Sequence, residues 1–402
     1  MGPEQFGVYN YALVFVGMFS ALSNLGLDGI VVRNVVRDPA HKDTILGTAF
    51  FLKFTGGIIT LIVSVGAIIT LRPSDNVTGW LVGITAVGAI FQAFDTIDFW
   101  FQSQVKSKYT VYVRNGSFLI ITLVKVLLIL TRSPLIAFAC AGLAEIVTGT
   151  IGIIFAYQLH GNGLHKWRVS FQYAKELLTD SWPLICSCLA VGFFMKIDQV
   201  MLREMAGSES AGIYAAATRI SEIGYFIPII IVSSVSPAIV NAKKLGNDIY
   251  YQRLQKLFDF TAALAFAIAI PTTLLSKYFV LLLFGKSYAA AGPILAIHIW
   301  ATLFYFLGIV QGPWNITEGL TNLSLKRTLI TAVVNIILNF ILIPKYSGIG
   351  AAISTVAAYF CGAFLANGLD GKSRQIFYLQ IKAIFFVRLF KRAIAKTTCR
   401  PL

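Results

Sequence analysis

The 402-residue sequence is 57% hydrophobic and 13% charged, with a formal net charge of +15. A soluble chain carries about a quarter charged residues, and here the basic residues lie between long apolar runs rather than along one face, which excludes a nucleic-acid partner. The runs reach the ~20 residues a transmembrane helix requires, without the ~10-residue alternation of a membrane β-barrel. The fold class is therefore an all-α polytopic membrane protein.

Eleven spans are predicted, over residues 8–27, 45–71, 79–101, 112–131, 135–157, 182–203, 211–240, 257–284, 290–312, 326–343 and 348–367. Pro228, Pro237 and Pro271 fall inside runs, where proline removes an intrahelical hydrogen bond and favours a kink. The pattern G-x-E-x-x-G-[VI]-Y-x-x-A occurs twice, at Gly2–Ala12 and Gly207–Ala217, 205 residues apart. Each copy precedes or opens a long apolar run, as expected of one feature in two homologous halves. The second copy follows an apolar helix and the first follows nothing, so the repeat predicts that a first helix is missing. The lobes repeat after six helices, an even number, which keeps them in the same orientation: a parallel repeat of two six-helix lobes.

Fifteen lysines and arginines lie in one set of connections (among them Arg33, Arg37, Lys106, Lys108, Lys166, Lys243 and Lys326), eight follow in the tail, and six lie in the alternate set. The positive-inside rule makes the first set cytoplasmic, and the C-terminus with it. The expected organisation is an N-terminal lobe over 1–157, a cytoplasmic linker over 158–181, a C-terminal lobe over 182–367 and a basic cytoplasmic tail over 368–402. Within the linker, Trp167–Leu178 reads as an amphipathic surface helix, and Asp180-Ser181 as the cap of the next span. The segment from Gln375 to Ala395 reads as lying on the membrane.

No catalytic motif is found. Gly285-Lys286-Ser287 and Gly371-Lys372-Ser373 lack the leading glycine of a phosphate loop. The five cysteines have no metal-ligand or redox spacing, and no metal or cofactor is expected. The informative residues are charges within spans, each costing ~2.5–3.5 kcal/mol at the bilayer centre unless it meets water or a partner. Lys53, Lys125, Lys196 and Arg219 are the cations; Asp28, Glu145, Asp198 and Glu222 are the nearby carboxylates. Arg219 and Glu222 share a helix face as a candidate ion pair, whereas Lys196 and Asp198 do not. Cations at depth favour an anionic cargo such as a phosphate or an acidic sugar. Asp95 and Asp98 beside Phe99-Trp100-Phe101 read as an interfacial belt, and Asn335 with Asn339 as an interhelical contact.

Several stretches are similar to Wzx-type polysaccharide flippases: Gly2-Pro3-Glu4-Gln5-Phe6-Gly7-Val8-Tyr9, Leu27-Asp28-Gly29-Ile30-Val31-Val32-Arg33, Phe99-Trp100-Phe101-Gln102-Ser103-Gln104, Lys175-Glu176-Leu177-Leu178, Lys196-Ile197-Asp198-Gln199, Tyr250-Tyr251-Gln252-Arg253-Leu254-Gln255 and Ala296-Ile297-His298-Ile299-Trp300. The resemblance runs along the whole chain. It implies a MATE-like fold and flipping of undecaprenyl-diphosphate-linked oligosaccharide across the inner membrane by alternating access, in surface polysaccharide biosynthesis. It implies lipid-linked oligosaccharide and membrane lipid as partners, with polysaccharide polymerase and chain-length machinery downstream. By the same resemblance, Lys53, Lys125, Lys196 and Arg219 are diphosphate or acidic-sugar contacts, and Asp28, Glu145, Asp198 and Glu222 act in coupling or gating. The alternative is a MATE-like, ion-coupled exporter of small organic cations. A membrane enzyme, which would need a long outer loop, is disfavoured by the short outer connections.

Overall fold

A computed structural model of the chain describes residues 2–385. Within them the helices are α1 (Pro3–Met18), α2 (Ser20–Asn24), α3 (Asp28–Arg37), α4 (Lys42–Leu71), α5 (Asn76–Phe91), α6 (Thr96–Ser103), α7 (Lys108–Leu130), α8 (Leu135–Leu159), α9 (Phe171–Glu222), α10 (Phe226–Leu245), α11 (Asn247–Phe284), α12 (Ala291–His298), α13 (Ala301–Thr317), α14 (Thr321–Tyr359), α15 (Ala366–Leu369) and α16 (Arg374–Ile384).

All eleven predicted apolar runs fall in helical segments, although several share a segment. By length and composition, eight helical segments among the described residues can cross a membrane, or nine with the bent pair Pro3–Met18 and Ser20–Arg37. The difference arises because Met195–Leu245 and Lys326–Leu369 each carry two predicted runs. The former, at 51 residues, would reach about 77 Å at 1.5 Å per residue, against a hydrocarbon core of ~30 Å. Each contains one residue off the helical path, Gly207 (φ +85°) and Ser347 (φ +49°). Gly207 needs the freedom at positive φ that only glycine has without strain. A 3-10 turn at Ile223–Tyr225 separates α9 from α10. Pro228 has no N–H for the Gly224 carbonyl four residues back, which accounts for a break at that point.

The chain divides into two compact units, Val8–Lys196 and a second made of Gly2–Gly7 with Ile197 onwards. The first is centred on Leu27, Val31, Ile45, Leu46, Ile97, Phe99, Phe101 and Tyr157. The second has one core around Tyr250, Leu254, Phe258, Phe306, Val310 and Trp314, and another around Leu202, Tyr214, Val280, Leu295 and Ala351. Only 11% of the most apolar stretch of α7 is buried, whereas that of Ala291–Thr317 is 56% buried. The α7 surface is thus a face for lipid, and α12–α13 a centre on which other helices pack.

Four local expectations are corrected. Trp167–Ser170 is not helical; the helix begins at Phe171 and continues through Trp182, so no separate surface helix forms. Asp180 is no cap, because it lies inside that helix and accepts a 2.7 Å hydrogen bond from Arg33. Phe99, Trp100 and Phe101 are core residues rather than a belt, at 3%, 7% and 0% exposure. The tail helix α16 buries Ile376, Leu379 and Ala383 in the second unit's core, since protein offers its apolar face a partner there. Residues 386–395 of that predicted surface segment, with Arg388, Lys391 and Arg392, lie outside the described residues, as does Lys396.

Candidate functional site

In the first unit the buried Lys53 of α4 sits among carboxylates. Its Nζ is 4.0 Å from Asp28 Oδ1 and 4.8 Å from the centroid of the Phe99 ring. Asp28 opens α3, where the positive end of the helix dipole favours a carboxylate. Asp95, Asp98 and Arg114 lie within electrostatic reach of Lys53. Arg114 donates to Asp95 at 2.8 Å, and Gln102 to Asp98 at 2.9 Å. A buried ammonium is tolerated when opposite charges surround it. Lys53 is thus buried within the protein, at 1% exposure.

Lys125 of α7 donates to Glu145 of α8 at 2.7 Å, each side chain about 30% exposed. Glu145 also lines a cavity of about 240 Å³ with Gln92, Asp95, Arg114, Ser117 and Thr150. Sequence spacing could not show the 20-residue link between Lys125 and Glu145, because only the α7–α8 hairpin brings them together. Lys196, half-buried on α9, has no ion-pair partner among the described residues.

In the second unit Asp198 is 7% exposed and accepts hydrogen bonds at both carboxylate oxygens. The Tyr214 hydroxyl donates to Oδ2 at 2.5 Å, the Thr355 hydroxyl to the same oxygen at 3.5 Å, and the Gln199 backbone N–H to Oδ1 at 2.8 Å. Such donors stabilise a carboxylate where water is absent. His298 is 2% exposed, shares a 2.7 Å hydrogen bond with Ser221, and meets the Tyr214 ring edge-on at 5.8 Å. Glu222 lies within electrostatic reach of Tyr214, Tyr225, Tyr305 and Tyr359. The Arg219 guanidinium covers the Phe6 ring at 4.8 Å, a cation–π contact that a sequence separation of 213 residues conceals. Sequence reasoning missed the roles of Tyr214 and Thr355, although Tyr214 is the tyrosine of the repeated motif.

Asn335 and Asn339 correct a further expectation: Asn339 donates to Asn335 at 2.9 Å along the same helix rather than between helices. Outside the spans, a hydrogen bond from His41 holds the Asp38 carboxyl below its usual range. Among the described residues, no group of three or more His, Cys, Asp and Glu side chains could hold a metal ion.

The family model described as "Polysaccharide biosynthesis protein" matches residues 1–243, and that described as MatE matches residues 183–341. The chain is 24% identical over 371 residues to the capsular polysaccharide biosynthesis protein CapF of Staphylococcus aureus, covering 89% of each chain. In fold it is similar to an inward-facing multidrug resistance MATE family transporter of the MOP superfamily. That match has a TM-score of 0.75 at 16% identity and covers 99% of this chain and 93% of the other. It is similar also to the lipid II flippase MurJ, with a TM-score of 0.67 at 16% identity, covering 96% of this chain and 90% of MurJ. The fold is thus MATE-like, and the chain, a multipass membrane protein, belongs to the polysaccharide biosynthesis protein family.

Proposed function

We propose that the chain is a flippase for a lipid-linked oligosaccharide, carried on a polyprenyl diphosphate, in the assembly of a surface polysaccharide. The observation that carries this reading is the family match over residues 1–243. The lipid II flippase fold and the likeness to CapF support it. It works as a transporter rather than as an enzyme, by alternating access in the bacterial inner membrane. The loops rich in lysine and arginine, and the C-terminus, face the cytoplasm. Polysaccharide polymerase and chain-length machinery would take up the flipped product.

In this reading Lys53, Lys125, Lys196 and Arg219 meet the diphosphate or acidic sugars. Asp28 and Glu145 serve as counter-ions to Lys53 and Lys125 when cargo is absent, so that an arriving phosphate exchanges one anion for another. That exchange avoids leaving a bare ammonium in low dielectric, which is the costly alternative. Asp198 and Glu222 act in coupling or gating. The lobes are residues 1–157 and 182–367, joined by 158–181 and followed by the tail 368–402.

Complementation tests the reading. The chain is expressed in a bacterial strain lacking its polysaccharide flippase, and surface polysaccharide is assayed with the lipid-linked intermediate. Rescue with depletion of the intermediate is expected; failure of a well-expressed chain across several donor glycans would overturn it. A second reading, a MATE-like exporter of small organic cations, draws on the MatE match over 183–341. It requires resistance to cationic dyes in the same strain without any change in the intermediate.

A further inference from the structure

The helical segment Asn76–Ser103, long and apolar enough to span, is interrupted by a 3-10 turn at Gln92–Asp95. Irregular backbone at membrane depth is tolerated where it is buried in protein or lines a wet cavity. Here Gln92 and Asp95 form one wall of the cavity of about 240 Å³ in the first unit. Arg114 and Ser117, three apart on one face of α7, form a second wall, and Glu145 and Thr150 of α8 a third. At ~30 Å³ for each water, the space holds about eight waters, or one sugar ring in their place.

The charges of the cavity are already matched. Arg114 donates to Asp95 Oδ1 at 2.8 Å, and Lys125, outside the lining, donates to Glu145 Oε2 at 2.7 Å. An entering anion faces two carboxylates. An entering cation faces the Arg114 guanidinium, with Lys125 behind Glu145 and Lys53 within reach of Asp95. Either ion must disturb a pair in low dielectric, which is costly. What remains uncommitted is hydrogen-bonding capacity of both kinds. Among the described residues, Asp95 Oδ2 and Glu145 Oε1 accept no hydrogen bond, and the hydroxyls of Ser117 and Thr150 have no partner. None of these four atoms is occluded, so each is open to a ligand. Ser117 is nevertheless 8% exposed: its hydroxyl is a buried, unpartnered group on the cavity wall. The free carboxylate oxygens require donors, while the hydroxyls can donate or accept. An uncharged polyol meets all four. Among the described residues the lining has no aromatic ring, so recognition is by hydrogen bonds rather than by stacking.

We propose that this cavity between α5, α7 and α8 binds one uncharged sugar residue. The inference rests on the flippase reading for its biological sense and deepens it. Lys125, a proposed diphosphate contact, adjoins the cavity through Glu145, so the sugar belongs to the lipid-linked cargo. Free monosaccharide is the other source of the same chemistry.

The full-length chain in nanodiscs is titrated with glucose, galactose and N-acetylglucosamine, followed by saturation-transfer difference NMR. Glucuronate, and glucosamine in its ammonium form, serve as charged versions of the same ring. Saturable binding of at least one neutral sugar is expected, with both charged sugars about tenfold weaker or worse. Ser117→Ala and Thr150→Val each remove one hydrogen bond to the ligand and should weaken binding about fivefold. Neither hydroxyl has a partner in the protein, so both variants should keep the unfolding midpoint. Gly149→Leu fills the cavity and should abolish binding. Gly149→Ala, whose Cβ would meet Ser117 Oγ at 3.8 Å, is the variant that tests whether the fold accepts a side chain there. A parallel sample carries a polyprenyl-diphosphate-linked monosaccharide in the bilayer. Displacement of the free sugar by it assigns the cavity to the cargo, and no displacement would overturn that assignment. Absence of neutral-sugar binding, tighter binding of either charged sugar, or binding indifferent to Ser117→Ala, Thr150→Val and Gly149→Leu would overturn the proposal. Complementation in the flippase-deficient strain is scored separately, so a cavity that binds sugar in a chain that flips nothing would retire the transport reading alone.

Discussion

Gly7 and Gly212, equivalent positions of the repeated motif, pack against each other within the second unit. A Cβ at Gly7 would collide with the Ser208 carbonyl oxygen and lie 2.9 Å from Gly212 N. A Cβ at Gly212 would collide with the Pro3 carbonyl oxygen and lie 2.8 Å from Gly7 N. Pro3 and Ser208 are themselves equivalent positions, so the two copies cross in a reciprocal arrangement. Small residues at such crossings let two backbones approach closely.

From that crossing, Gly212→Ala and Gly7→Ala should each destabilise the protein by about 1–3 kcal/mol, the usual cost of forcing atoms into a filled space. The colliding atoms are backbone, which cannot rotate away. Gly66→Ala is the control, since a Cβ there meets nothing within 4 Å; it should be neutral or stabilise by up to about 1 kcal/mol. The unfolding midpoint of detergent-purified protein, followed by size-exclusion fluorescence, separates the two outcomes. Equal midpoints for all three would show that the crossing relaxes freely.

Lys125→Ala should abolish rescue in the complementation assay, and Glu145→Gln should leave it partly intact, if the ammonium meets cargo and the carboxylate is its counter-ion. A Lys125→Glu/Glu145→Lys exchange keeps the 2.7 Å pairing chemistry. It should recover stability, with a coupling energy of about 0.5–3 kcal/mol in a double-mutant cycle. Transport should not return with it. Full rescue by the exchanged pair would make the pairing purely structural.

Lys196→Ala should lower transport while leaving the unfolding midpoint within about 0.5 kcal/mol, because a half-buried side chain without an ion pair contributes little to stability. Lys196→Arg keeps the positive charge and should restore part of the rate. A midpoint that falls as steeply as transport would place Lys196 in the scaffold.

Tyr214→Phe deletes the hydroxyl that donates to Asp198 and keeps the fully buried ring. The expected cost is about 1–3 kcal/mol, since a buried carboxylate loses a hydrogen bond without room for a full replacement. Thr355→Val removes the longer 3.5 Å contact to the same oxygen and should cost less, about 1 kcal/mol. The order of the two midpoints is the readout, and a reversed order would show that Thr355 is the principal donor.

Composition and the period of the apolar runs determined that this is a polytopic helical membrane protein, because a backbone in hydrocarbon must satisfy its own hydrogen bonds. The sequence by itself also showed the repeat at Gly2 and Gly207, and which charges lie within spans. Tertiary structure alone decided which of those charges meet. Lys125 and Glu145 come together across the α7–α8 hairpin, Lys53 and Asp28 across α4 and α3, and Asp198 finds Tyr214 across the break at Gly207 and Thr355 from α14. It also decided that the Trp167–Leu178 stretch begins a long helix at Phe171, and that Trp100 is core rather than belt. The physical reason is that hydropathy is a local sum readable along the chain. A buried side chain's partner depends on where distant segments place their faces, and residues 16 to 157 positions apart leave no trace of that in local pattern.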